Sequence, residues 1–128
     1  MVTQISKGIK ISVDARYQEN YSTPEKNIYI FSYHISIRND SDFPVQLLRR
    51  RWLIFDSVFQ YHEVEGEGVV GQQPIILPSE QYEYESFCQL QSDMGSMKGS
   101  YLMQRLSDEL QFDVEIPTFQ LICPTRLN

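Results

Sequence analysis

A chain of 128 residues, 41% apolar and 12% aromatic, fits one domain and can bury a core without metals or disulfides. Its formal net charge of −6 speaks against wholesale nucleic-acid binding, which asks for a basic face. Its apolar runs, of about four residues (Trp52 to Phe55, Pro74 to Pro78), fall far short of the roughly 20 needed to span a bilayer. Met1 to Gly8 has no apolar signal-peptide core, so a cytoplasmic protein is expected. In that reducing compartment Cys88 and Cys123, which fit no zinc or CxxC spacing, are expected to be buried free thiols.

Ile9, Ile11, Val13, Ala15 and Tyr17 alternate with polar residues, predicting a first strand with one buried face. Asn20 to Lys26 is polar, contains Pro24 and reads as a loop. Tyr29, Phe31, Tyr33, Ile35 and Ile37 carry the strongest strand signal. Asn39-Asp40-Ser41-Asp42 ends that strand as a turn, and Pro44 follows. Val45 to Asp56 is the third strand, with Leu48, Trp52 and Ile54 on one parity and Arg49 and Arg51 on the other. Trp52 is therefore expected in the core. A short loop, Ser57-Val58-Phe59, leads to a return strand over Gln60 to Glu65. Pairing across it sets Trp52 opposite Val64 and Arg51 opposite Glu65. Gly66 to Leu77 reads as irregular, and Pro78-Ser79-Glu80 as a turn. Tyr82, Tyr84, Ser86 and Cys88 mark a fifth strand. Met97, Gly99, Tyr101 and Met103 mark a sixth, with Gly99 making room for a large side chain against the backbone. Phe112, Val114 and Ile116 begin a seventh. Pro117 shifts the phase, and Phe119, Leu121 and Cys123 resume on the other parity, the signature of a β-bulge. No useful length of chain repeats apolar residues at helical spacing. The expected fold is all-β, an antiparallel sandwich of immunoglobulin or fibronectin type III kind, with seven to eight strands in one domain over residues 1–128.

Three features invite a functional reading. Gly66, Gly68 and Gly71 form a literal G-x-G-x-x-G. A dinucleotide fingerprint needs a helix after the glycine turn; here Val69 and Val70 start helices poorly and Pro74 stops one. The alternatives are a tight backbone crossover or a nest of N–H groups holding an anion such as pyrophosphate or a nucleotide. Next, Arg49-Arg50-Arg51 cannot form one patch in a strand. Arg49 and Arg51 face out, where they could meet a partner, and Arg50 shares Trp52's face, where it needs a carboxylate or carbonyl. Finally, Glu63, Glu65 and Glu67 project to one side, and Glu63 and Glu65 are candidate ligands for a divalent cation. His34 and His62 have no neighbour at ligand spacing, and no nucleophile elbow is present, so neither enzymatic activity nor a cofactor is expected.

Val64-Glu65-Gly66-Glu67-Gly68-Val69-Val70-Gly71-Gln72-Gln73-Pro74 closely resembles the ApaG family. So do Val45-Gln46-Leu47-Leu48, Arg51-Trp52, the Gly95, Met97, Gly99, Tyr101, Met103 series and Ile116-Pro117-x-Phe119-x-Leu121. The resemblance runs from the first strand to the C-terminus. This chain departs from the family at turns and edges: Pro78-Ser79-Glu80 stands for Pro-Gly-Glu, Ser86-Phe87 for Ser-Gly, and Ser92-Asp93 for Thr-Pro. The resemblance implies a fibronectin-like sandwich, a link to cobalt resistance and magnesium efflux, and protein-interaction roles for ApaG-like domains. The expectation is a cytoplasmic, non-enzymatic interaction module for an unidentified protein partner, working from loops and sheet edges. The alternatives are anion binding at Gly66 to Gly71 and divalent-cation sensing.

Overall fold

The alternation read from the sequence produces strands that stack in two layers. The computed structural model describes residues 1–58 and 61–127, with the backbone alone for 126 and 127. The strands are β1 (Val2–Ser6), β2 (Ile9–Tyr17), β3 (Tyr29–Asn39), β4 (Val45–Asp56), β5 (Tyr61–Glu67), β6 (Ile75–Ile76), β7 (Gln81–Leu90), β8 (Met94–Arg105) and β9 (Gln111–Ile122). Among the described residues the only helical pieces are short 3-10 turns at Glu19–Tyr21, Pro24–Lys26 and Pro124–Leu127. The expected loop residue Phe59 and strand residue Gln60 lie outside the described residues.

One sheet has the order β1-β2-β3-β7; the other has β5-β4-β8-β9, with β6 pairing to β4 beyond the end of β5. All pairings are antiparallel. This is the sandwich architecture of the immunoglobulin and fibronectin type III domains. Strands β1 and β2 pack across from β9, so the sandwich is covered on that side. The core lies between the sheets. Trp52, only 2% exposed, packs edge-on against Tyr33 at 5.5 Å and Phe119 at 5.9 Å between ring centres. Gly99 lies opposite Trp52 in the β4–β8 register, and a Cβ there would run into the Arg51 carbonyl and the indole. Both cysteines are buried and free.

Four features differ from the sequence reading. β1 was not expected. Its half-buried residues Gln4 and Ser6 are polar, so they leave no hydrophobic alternation to read. Gln4 Nε2 instead donates to Glu115 on β9 at 3.0 Å, and the Glu115 N–H donates to Ser6 Oγ at 3.2 Å. β6 falls within the stretch read as irregular, and Gly66 and Glu67 belong to β5. The parity of β4 is not continuous. Val45 and Leu47 are buried, a bulge follows between Leu47 and Arg49, and Arg50, Trp52, Ile54 and Asp56 then face inward. Leu48, expected beside Trp52, sits at the bulge itself and is only half-buried. The bulge predicted in β9 at Pro117 is present, as a register shift opposite Met97 to Gly99.

Candidate functional site

The β4–β5 pair positions most of the residues singled out above. Its register places Trp52 opposite Val64, Arg51 opposite Glu65 and Arg50 opposite Gly66, as the hairpin reading expected for the first two. On the outer face the charges alternate in sign. Arg51 donates to Glu63 at 2.8 Å and lies 3.5 Å from Glu65; Arg49 lies 3.9 Å from Glu67. The hydrogen bond that Arg51 donates to Glu63 is the main cause that holds its guanidinium above its ordinary range. Glu63 and Glu65 thus share one arginine. Among the described residues no three His, Cys, Asp or Glu side chains gather as a metal-ligand set.

The glycine segment closes the gap between β5 and β6 along the edge of β4. The bulged Leu48 turns its carbonyl outward, where it accepts from the Gly68 N–H at 2.8 Å and from Gln73 Nε2 at 3.0 Å. Leu47 N–H donates to Pro74 O at 3.0 Å. Between these anchors Val69 and Gln72 exchange backbone bonds around a two-residue turn, with Val70 at φ +47° and Gly71 at φ +76°. Positive φ at both central residues is the type I′ geometry. Gly68, at φ +62°, packs so tightly that a Cβ would strike the Gln72 carbonyl. Val69 is wholly buried and pins the loop to the core. The N–H of Gly68 is therefore engaged by β4, and those of Val69 and Gln72 by each other.

Arg50 finds the carbonyl partners its inward position demands. Its Nη1 donates to Glu67 O and Gly68 O, both at 3.0 Å. Among the described residues no carboxylate pairs with it. Its positive charge instead acts on the phenols of Tyr33, Tyr84 and Tyr101, whose pKa values burial pushes up. The Tyr84 and Tyr101 hydroxyls are hydrogen-bonded to each other.

Arg50 opens into a cleft of about 290 Å³ between the edge strands β5 and β7. Trp52, Tyr33 and Cys88 form its floor, His62 and Val64 stand on its β5 side, and the edge of β7 from Ser86 to Gln89 bounds the other, with the Phe87 side chain on the outer parity of that strand. Burial pushes the Cys88 thiol up to about 11, with a smaller push from Asp56, so the thiol stays protonated near neutral pH. Phe87 is 56% exposed and Val64 38%. The cleft follows from an offset of the two sheets, since among the described residues no strand of the first sheet extends beyond β7 to cover the inner face of β5. The sequence reading placed Arg50 on this face but did not find His62 or Val64 beside it. An apolar Phe87 on the otherwise polar parity of Glu83, Glu85 and Gln89 was the available signal. His34 lies elsewhere, on the outer face of β3, 3.5 Å from Glu83.

The closing comparisons agree with one another. A family model described as the ApaG domain matches residues 19–105. Protein ApaG of Anaeromyxobacter dehalogenans is 42% identical over 128 residues, covering all of both chains. Protein ApaG of Pseudomonas aeruginosa is 43% identical over 120 residues, 94% of each chain. A crystal structure of a protein from Bordetella pertussis described as an ApaA protein superposes with TM-score 0.86 at 38% identity, covering 91% of this chain and 94% of that one. The C-terminal domain of wzt, at 8% identity and TM-score 0.56 over 95% of this chain and 77% of that one, shares the fold alone. With its glycine loop, arginine strand and full-length kinship in place, this chain belongs to the ApaG family.

Proposed function

We propose that this ApaG protein is a non-enzymatic interaction module that receives a protein partner at the open side of the sandwich, between β5 and β7. The observation that carries the reading is the uncovered inner face of β5. Among the described residues no strand lies over His62 and Val64, while Trp52 and Tyr33 lie beneath. Exposed apolar side chains beside an unpaired strand edge are the ordinary recipe for recognising another chain. The acidic balance of the protein favours a protein partner over nucleic acid. The outer arginines Arg49 and Arg51 are neutralised by their own glutamates, so the cleft is the better surface.

A photo-crosslinking residue at position 87, compared with one at exposed Glu25 on the connection between β2 and β3, tests this in cells. One discrete adduct from position 87, absent from position 25 and lost when Val64 is changed to Lys, is expected. Equal labelling from both positions defeats the reading.

A further inference from the structure

Resting on that reading, we propose that the occupant of the cleft is an extended peptide segment that adds to the free edge of β7 and carries an inward-facing carboxylate for Arg50.

The backbone of β7 is already set for this. Gln18 N–H bonds Ile30 O, and Asp40 N–H bonds Gly8 O, so the even residues of β3 turn their backbone groups toward β2. Asn39 N–H bonds Glu80 O, so the odd residues of β3 turn toward β7. Phe31 pairs with Cys88 and Tyr33 with Ser86. The even residues of β7 are therefore spent on β3. Glu83, Glu85, Phe87 and Gln89 turn their N–H and C=O groups to the free edge. A strand added there would extend the first sheet by one and lie over the uncovered inner face of β5.

Side-chain chemistry then selects the strand. Residues paired with the even positions of β7 would point into the cleft. Tyr84 is hydrogen-bonded to Tyr101, which is the register partner of Arg50, so the residue opposite Tyr84 arrives level with the guanidinium. A half-buried cation with only carbonyl partners favours a carboxylate at that place. The next inward residue, opposite Ser86, meets Val64 and should be apolar. Residues opposite Glu83 and Glu85 point outward and should be basic. The same two glutamates disfavour a second copy of this chain, because antiparallel pairing of two β7 edges would set acid against acid.

The test uses the full-length protein and a blocked seven-residue probe, Thr-Val-Lys-Glu-Lys-Val-Thr. Its sequence is symmetric, so either strand direction puts Val-Glu-Val inward and both lysines outward. The matched control replaces the central Glu with Gln. We expect the Glu probe to bind at least about ten-fold more tightly than the Gln probe. Its amide perturbations in NMR spectra should centre on Glu83, Glu85 and Phe87. Glu85→Pro removes an outward N–H and spares the bonds to β3, which edge strands tolerate. That variant should keep its β-sheet circular dichroism and lose probe binding. Equal affinity for the two probes, a Glu preference that survives Glu85→Pro, or perturbations confined to another face each overturn the proposal. If the probe fails in any of these ways while crosslinking from position 87 stays specific, the cleft remains the docking surface and only the added strand is rejected.

Discussion

The guanidinium of Arg50 lies against its register partner Gly66 so closely that a Cβ on Gly66 would stand 2.7 Å from Nη2. The three glycines therefore fail for different reasons when replaced. Gly66→Ala should push Arg50 off the Glu67 and Gly68 carbonyls, weakening the cleft more than the fold. Gly68→Ala combines positive φ with a clash against Gln72 O and should cost about 2 kcal/mol or more. Gly71→Ala meets nothing within 4 Å, so conformational strain alone, about 1 kcal/mol, is expected. Chemical denaturation of the three variants checks the order Gly68 above Gly71, and pyrophosphate calorimetry on the wild type should give no heat.

Trp52→Ala should destabilise by roughly 3–5 kcal/mol, because the indole fills the space between Tyr33 and Phe119 and little can collapse into it. Native fluorescence should be blue-shifted. Gly99→Ala, across the register from Trp52, should be comparably damaging through its clash with the Arg51 carbonyl.

Among the exposed residues held at positive φ, Ser79 and Val70 sit in conformations that suit other residues. Ser79 has φ +71°, a region that favours glycine, and Val70, β-branched, has φ +47° in a turn that prefers Asn-Gly. Ser79→Gly and Val70→Asn should each raise stability by about 1 kcal/mol, read as higher denaturant midpoints with unchanged slope.

Alkaline pH should destabilise the protein. The Cys88 thiol, ordinarily near 9, is pushed up to about 11 by burial. Above the unfolded value the unfolded thiol ionises and the folded one does not, so the unfolded state binds fewer protons. Stability is full below pH 9 and falls as pH rises toward 11. Buried Tyr33 and Tyr101, also pushed up, add to the loss in the same direction. Melts from pH 7 to 11 should show the decline, and Cys88→Ala should soften its first part.

Cobalt or magnesium near physiological concentration should leave the melting temperature unchanged, because Glu63 and Glu65 are both turned to Arg51. A saturable rise lost in Glu63→Gln would instead make this outer face a cation site.

Periodicity made the seven long strands, the Trp52–Val64 pairing and the Pro117 bulge legible, because each rests on apolar side chains choosing a side. What stayed hidden rests on backbone and polar bonds. The Leu47–Leu48 bulge leaves the sequence looking apolar on both parities, so Leu48 was assigned the place that Leu47 fills one turn of the pleat earlier. β6 is two residues long, too short for any period. The cleft was only half legible. Arg50's inward direction followed from parity, but the edge of β7 and Val64 are brought to one cleft by sheet order, which no local pattern encodes.

The polar clip between β1 and β9 has a consequence for how the chain opens and closes. Gln4 and Glu115 are 111 residues apart, and joining them first would forfeit about 4 kcal/mol of chain entropy. The clip therefore forms last in folding, after the sheets have carried β9 to β2. Held by exposed hydrogen bonds rather than buried surface, it is also the first to let go. The amides of Val2 to Ser6 should then exchange with solvent through small local openings, while those of β3, β4 and β8 wait for the whole sandwich to come apart.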